Sequence, residues 1–426
     1  MRQQDEEMGQ QRRKAVFIVG SRGIPAAYGG FETFAEELVR FGSNGTVAYH
    51  VACRALPSGQ EAAESGAAGA GNGYVHYEYL GADCFTVPLP KHIGSAAAIF
   101  YDLRALKYAA RLAEKNGYEA PVFLVLGNTA GGFLGRAAAR IKKLGGRLLV
   151  NPDGLEWKRD KWPGPVKKYL KYAEGRMVRR AHVLVCDNAG IEKYIQNTYG
   201  AQRPVTCCLT YGTDLTPSGL TAEDASVRAF FARCGAAEGG YVLTVGRLVP
   251  ENNYEAVLRG FLDAGTDKKL LVISETTDSP YYRRLLQIPG AADESRVCFA
   301  GGVYDRPLLK YIRENAFAYV HGHTVGGTNP SLLESLAAGS VTLAADVSFN
   351  RETAADAALY WRADGGGGGG AAQAPGLADA LRELVAMGAE ARAALGERAR
   401  ELARTRYDWA KIIPQYEELF LSEGGR

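Results

Sequence analysis

Gly326-Gly327-Thr328-Asn329-Pro330-Ser331-Leu332-Leu333-Glu334-Ser335-Leu336-Ala337-Ala338-Gly339 reads as a glycine turn, an Asn cap, Pro at the first helical position, one helix and a terminating Gly. Such a turn brings backbone N–H groups to a helix N-terminus, where unpaired donors and partial positive charge favour an anion. On a helical wheel Leu332, Leu333, Leu336 and Ala337 share one arc, with Glu334 at its edge. A phosphate cradle with a carboxylate about one turn further along suits a nucleotide: N–H groups for phosphate, carboxylate for ribose hydroxyls. An ordinary capped helix with a solvated Glu accounts for the same residues equally well.

Outward from this helix, the chain alternates strand and helix almost throughout. Strands are expected at Ala15–Val19, Val47–Cys53, Val75–Leu80, Val122–Leu126, Arg147–Val150, Val183–Cys186 and Val205–Leu209. Helical patterns separate several of them, notably Ala96–Lys115, Gly131–Lys143 and Val166–Arg180. A second series runs through Tyr241–Val245, Leu270–Ile273, Val297–Ala300, Ala318–His321 and Val341–Ala344. Continuous apolar strands between helices indicate parallel sheets covered on both faces, so the fold class is α/β with two doubly wound domains. Gly, Pro, Thr and Ser cluster at the join, Tyr211–Thr221. The amphipathic segment Tyr407–Leu421 carries Trp409, Ile412, Ile413, Tyr416, Leu419 and Phe420 and needs a partner surface, for which the first domain is the candidate. Ser65–Gly73 and the six glycines Gly365–Gly370 read as loop insertions.

Composition agrees with a soluble globular chain of two or three domains: 426 residues, 46% hydrophobic and 23% charged. A net charge of +3 gives no case for nucleic acid. The seven cysteines show no C-x-x-C spacing, and several lie in apolar runs, as expected for reduced buried thiols. Met1–Lys14 lacks the apolar core of a signal peptide, and no apolar run is long enough to cross a bilayer. A cytoplasmic protein is expected, with membrane contact at its surface.

Ligands of open α/β sheets bind at the carboxyl ends of strands. The loop after the first strand, Gly20 to Thr33, is glycine-rich and opens a helix, but it matches neither G-x-G-x-x-G nor the P-loop. After Tyr241–Val245 comes Gly246-Arg247, where an Arg can pair with a pyrophosphate or simply be solvated. Residues 150–162 mix carboxylates and cations with Trp157 and Trp162, which suits sugar recognition and equally suits a packed surface loop. Lys167, Lys168, Lys171, Arg176, Arg179 and Arg180 share one helical pattern with aromatics: an anionic-membrane contact or a solvated face.

Taken together, "VGSRGIPAAYGGFETFAEELV" at Val19–Val39, "VNPDGLEWKRDKW" at Val150–Trp162, "VGRLVPENN" at Val245–Asn253 and "HGHTVGGTNPSLLE" at His321–Glu334 resemble a GT-B glycosyltransferase of family 4. The resemblance runs from about Val16 to Phe420 and is strongest to the bacterial polysaccharide rhamnosyltransferase subgroup. It implies two Rossmann-like domains facing a central cleft. Residues 12–212 would form the N-terminal acceptor-binding domain and 213–405 the C-terminal domain that binds the donor nucleotide sugar, with 406–426 a helix packing back on the first domain.

The resemblance further implies retaining transfer of L-rhamnose from dTDP-L-rhamnose, or of a hexose or N-acetylhexosamine from a UDP-sugar, to a lipid-linked saccharide in cell-surface polysaccharide synthesis. The protein would be peripheral at the inner face of the membrane. Glu334 would bind ribose, Arg247 would pair with the pyrophosphate, and Gly327, Thr328 and Asn329 would form the phosphate-facing turn. Gly29 and Gly30 would lie near the donor phosphates, and His323 near the transferred sugar. Asp153, a candidate base, and Arg247 and Glu334 would serve catalysis. Tyr28, Glu32, Glu156 and Trp157 would contact acceptor. No D-x-D stands on a loop, and neither a metal nor a cofactor is expected. Two departures stand out: the wider family's first Glu is replaced by Gly326, and its Lys after the Arg by Asn252. An epimerase or phosphorylase of the same architecture, or a non-catalytic sugar-nucleotide-binding protein, also fits these residues.

Overall fold

The computed structural model describes residues 13–26, 29–42, 45–56, 73–90, 96–159, 162–275, 279–293, 295–363 and 374–422. The expectations placed on Tyr28, on residues 65–72 and on Gly365–Gly370 lie outside the described residues. The chain divides into two compact units, Met1–Tyr211 with Trp409–Arg426, and Gly212–Asp408.

The first unit is built on eight strands: β1 Lys14–Val19, β2 Val47–Cys53, β3 His76–Tyr79, β4 Ala82–Thr86, β5 Val122–Leu126, β6 Arg147–Asn151, β7 Val183–Cys186 and β8 Thr206–Cys208, in the order β3-β4-β2-β1-β5-β6-β7-β8. All neighbours pair in parallel except β3 and β4. Ala15 to Val19 and Val122 to Val125 are almost fully buried, as strands covered on both faces must be. The sequence pattern showed only one strand near Val75–Leu80. The chain instead makes an antiparallel hairpin there, turning at Leu80 (φ 51°) and Gly81 (φ 77°). A two-residue turn with both φ positive favours Asn-Gly, and Leu at its first position hides the signal.

The expected helix Gly131–Lys143 is a 3-10 turn, Gly131–Phe133, followed by a helix, Gly135–Lys143. Gly131 lies so close to the neighbouring Gly164–Val178 helix that a Cβ would stand 2.1 Å from the Ala173 carbonyl oxygen. The Trp409–Leu421 helix belongs to this unit and buries Trp409, Ile412, Ile413, Tyr416 and Phe420. Phe34 on the Gly30–Phe41 helix meets both Trp409 and Tyr416, and Tyr49 on β2 meets Phe420. Arg147 of β6 donates to the carbonyls of Leu419 (2.9 Å) and Ser422 (2.6 Å), closing the last turn of that helix.

The second unit has six strands: β9 Tyr241–Val245, β10 Lys269–Ile273, β11 Val297–Gly301, β12 Ala318–His321, β13 Thr342–Ala345 and β14 Ala358–Trp361. Their order, β11-β10-β9-β12-β13-β14, is the 3-2-1-4-5-6 order of a dinucleotide-binding sheet, all parallel. Alternation along β9 separates two cores. Val242 joins Tyr254, Val257 and Phe261 on one face, and Tyr241, Leu243 and Val245 join Phe230 and Ile312 on the other. The edge strand β14 is only four residues long and was not legible in the sequence.

Candidate functional site

In each sheet the strand order reverses at one point, between β9 and β12 in the second unit and between β1 and β5 in the first. The loops beyond the carboxyl ends of those strands are where an open α/β sheet leaves a crevice.

In the second unit two such loops are stitched together. Asn253 donates its side-chain amide to the Gly322 carbonyl at 2.7 Å and to Thr324 Oγ1 at 3.2 Å, and the Thr324 amide donates to the Glu251 carbonyl. Gly322 is so tightly placed that a Cβ would lie 2.3 Å from the Asn252 carbonyl oxygen. Asn252 is buried and donates to the Arg247 carbonyl at 2.8 Å. It thereby shapes the turn that presents Arg247. The Arg247 side chain is exposed and has no protein partner among the described residues. His323 closes over Gly246, its Cε1 3.1 Å from where a Cβ would be, and its ring stacks on His321 with centroids 4.4 Å apart. Burial holds His321 well below the usual histidine range, so the His321 ring is neutral at physiological pH.

The helix after β12, Pro330–Ala338, begins as its sequence dictates. The Asn329 side chain accepts from the Ser331 amide at 2.9 Å, Pro330 occupies the first turn, and Gly339 (φ 71°) terminates it. Leu332, Leu333 and Leu336 are fully buried. Thr328 is buried in the turn, and Gly326 (φ 142°) has nothing within 4 Å of a would-be Cβ. There is room for a side chain at Gly326, but the backbone conformation is one that L-residues rarely adopt. Glu334 is 40% exposed and is held by Arg313, which is 3% exposed, at 2.5 Å. Arg313 also donates to Ser331 Oγ at 3.1 Å. No sequence pattern pointed to Arg313, which lies on the separate Arg306–Glu314 helix. Arg247, His323, Gly327, Thr328, Asn329 and Glu334 thus belong to one unit, on two adjacent loops and the helix that follows.

In the first unit the equivalent crevice is also bonded across. Glu32 is buried, and its Oε1 accepts from the Arg22 amide at 2.7 Å. Gly29 has φ 144°, a conformation that L-residues rarely adopt, and this leaves room for Glu32 Oε2, which lies 1.8 Å from where a Cβ would stand. Gly30 is exposed at the first helical position. Asp153 (φ 59°) uses Oδ1 to accept from the Gly154 amide and stands 3.7 Å from Arg159. Glu156 is paired with Arg159 at 2.6 Å and accepts from the Trp162 indole at 2.8 Å. Trp157 lies under the Lys171 ammonium, 4.7 Å from the ring centroid, and donates to the Tyr194 hydroxyl. The structure therefore gives Glu32, Glu156 and Trp157 internal partners.

Asp102 and Arg54 escaped the sequence reading. Asp102 is buried and accepts from Thr129 Oγ1, just past β5, at 2.9 Å. Burial pushes its carboxyl up to about 7, against the opposing Thr129 hydrogen bond and Arg54 charge. Arg54, at the end of β2, lies over the Tyr101 ring and lines a surface pocket with Leu56, Thr86 and Pro88. A lone Asp in an alanine-rich helical pattern carries no local signal of such surroundings. Among the described residues no cluster of His, Cys, Asp and Glu could hold a metal ion, and no helix is long and apolar enough to cross a membrane.

Solved structures match nearly the whole chain. Sucrose-phosphate synthase from Thermosynechococcus elongatus is similar with a TM-score of 0.71 at 15% identity, covering 96% of this chain and 98% of that one. HepE of Anabaena in complex with UDP matches with a TM-score of 0.65 at 14% identity, over 95% and 99%. The trehalose-phosphate synthase (UDP-forming) of Burkholderia xenovorans, in complex with glucose-6-phosphate, matches with a TM-score of 0.69 at 14% identity, over 96% and 100%. The fold is GT-B. Residues 13–214 match a family model described as a domain of unknown function, DUF1972. No curated protein matches the sequence.

Proposed function

We propose that this GT-B chain is a glycosyltransferase that takes a sugar from a nucleotide-sugar donor held by the second unit. The observation that carries the reading is the pair of bonded loops after β9 and β12, which bring the uncommitted Arg247 beside a capped helix N-terminus with Glu334 one turn further on. The donor diphosphate takes the Arg247 guanidinium and the N–H groups of Gly327 to Asn329, and the ribose hydroxyls take Glu334. As the bond from the anomeric carbon to the diphosphate oxygen breaks, negative charge grows on that phosphate, where fixed donors stabilise it without reorganising. The acceptor oxygen forms the new bond to the same carbon, on the face the diphosphate leaves. Its proton passes to the departing phosphate. Transfer occurs with retention, and no step needs a metal.

The resemblance of residues 19–39, 150–162 and 321–334 to the rhamnosyltransferase subgroup favours L-rhamnose from dTDP-L-rhamnose, with a lipid-linked saccharide as acceptor in cell-surface polysaccharide synthesis. A UDP-hexose donor is the second reading, favoured by the UDP found in HepE. Purified protein incubated with a lipid-linked saccharide and dTDP-rhamnose, UDP-glucose or UDP-N-acetylglucosamine decides between them. Rhamnose transfer is the expected result. Turnover of another donor alone would refute rhamnose, and consumption of no donor would leave a binding protein.

A further inference from the structure

The two most exposed large apolar side chains described in the first unit stand together. Phe133 is 62% exposed and Tyr172 is 56% exposed. Phe133 stacks on Tyr169, centroids 6.3 Å apart, and Tyr169 is anchored by its hydroxyl to the Thr129 carbonyl at 2.8 Å. Gly132 brings the turn against the rings of both tyrosines, with atoms of each within 3.5 Å of a would-be Cβ. The missing side chain of Gly131 lets this turn seat on the Gly164–Val178 helix and hold Phe133 outward.

Basic residues flank the aromatic cluster along the chain. Residues 129–146 and 163–181 carry ten Lys and Arg and a single acid, Glu174. Glu174 is 3% exposed, turned inward onto Lys171, Tyr194 and Tyr199. Lys168 stands one turn before Tyr172, Arg179 about two turns after it, and Arg136 one turn after Phe133; all three are exposed and unpaired among the described residues. Apolar rings flanked by the exposed cations Arg136, Lys168 and Arg179 match a surface of acyl chains beneath anionic headgroups.

We infer that the turn 131–133 and the exposed face of the Gly164–Val178 helix dock the first unit on an anionic lipid bilayer. Phe133 and Tyr172 enter the interface, and Arg136, Lys168 and Arg179 contact the headgroups. The inference deepens the lipid-linked-acceptor reading and rests on it for its purpose, but binding can be measured without donor or turnover. The test is co-flotation of the full chain with vesicles of phosphatidylcholine, alone or mixed with phosphatidylglycerol, for the parent, Phe133→Ser/Tyr172→Ser and Lys168→Glu/Arg179→Glu.

The parent should bind only the anionic vesicles, and more weakly as salt rises. The aromatic pair should weaken binding by about ten-fold or more, and each removed positive charge by about five-fold. Both variants should keep the parent's circular dichroism and its turnover of a water-soluble acceptor, since neither touches the donor loops. Absence of binding to anionic vesicles, or parental binding by the aromatic variant, overturns the inference. So does equal competition by a soluble polyanion that is indifferent to Phe133 and Tyr172, which would mark a nucleic-acid or acidic-protein surface. Failure to bind vesicles with intact turnover defeats docking alone, whereas vesicle binding without turnover of any donor defeats the transferase reading alone.

Discussion

Replacing Arg247 with Ala separates donor binding from folding. The side chain is exposed and makes no hydrogen bond or ion pair among the described residues, and its backbone carbonyl contact to Asn252 survives truncation. Folding stability should therefore change by no more than about 0.5 kcal/mol, as for an uncommitted surface position. A guanidinium paired through two N–H groups with a diphosphate is worth about 1.5–3 kcal/mol. The dissociation constant for dTDP or UDP should then rise roughly 10- to 150-fold. Arg247→Lys should recover only part of that loss, because an ammonium supplies charge without the planar fork. Titration calorimetry with each nucleotide, beside urea unfolding of the same preparations, reads both quantities. Nucleotide affinity equal to the parent's in Arg247→Ala, at unchanged stability, would refute the placement of the diphosphate at β9.

Glu334→Gln keeps an acceptor for Arg313 but removes the charge, so nucleotide affinity should fall about ten-fold with a small loss of stability; full affinity would end the ribose role. Glu334→Ala strips the buried Arg313 of its counter-charge and should destabilise by about 2 kcal/mol, discounted because Glu334 is part-exposed, as urea unfolding would show. Asn329→Ala removes the cap on the Ser331 amide, at a cost of about 1 kcal/mol by the same measurement. Asp102 is raised to about 7 when folded, against about 3.9 unfolded, so folding takes up a proton between these values. Its contribution is therefore full below about pH 4 and lost as pH rises through about 7. Asp102→Asn should flatten that slope, leaving stability near pH 4 little changed and raising it by a few kcal/mol, on the order of 3, at pH 8. Parallel pH profiles for parent and variant would refute the burial of a proton at Asp102.

What the sequence revealed was local in origin. Asn329, Pro330 and Gly339 act within a few residues of themselves, so the helix and its cap were readable without any knowledge of the sheet. The parallel strands were readable for a similar reason, because burial on both faces leaves uninterrupted apolar runs such as Ala15–Val19. What depended on distant partners was not. Arg313 meets Glu334 from another helix, and Asp102 acquires its raised carboxyl only by burial beside Thr129. Glu32 reads as a ligand-seeking carboxylate until Arg22, ten residues earlier, is seen to donate its amide to it. Asn252 reads as a lost lysine, yet its side chain holds the turn that presents Arg247. The Leu80–Gly81 hairpin was concealed by a leucine in a conformation that leucine rarely takes.

The Trp409–Leu421 helix also sets an order of events during synthesis. The second unit is one unbroken stretch, Gly212–Asp408, and can close as soon as it has left the ribosome. The first unit cannot, because the surface around Phe34 and Tyr49 waits for Trp409, Tyr416 and Phe420. About 200 residues separate Tyr211 from that helix, roughly 10–40 s of translation at ordinary rates. For that interval the earlier-made half of the protein carries an uncovered aromatic face, and it is the half with most to gain from a chaperone.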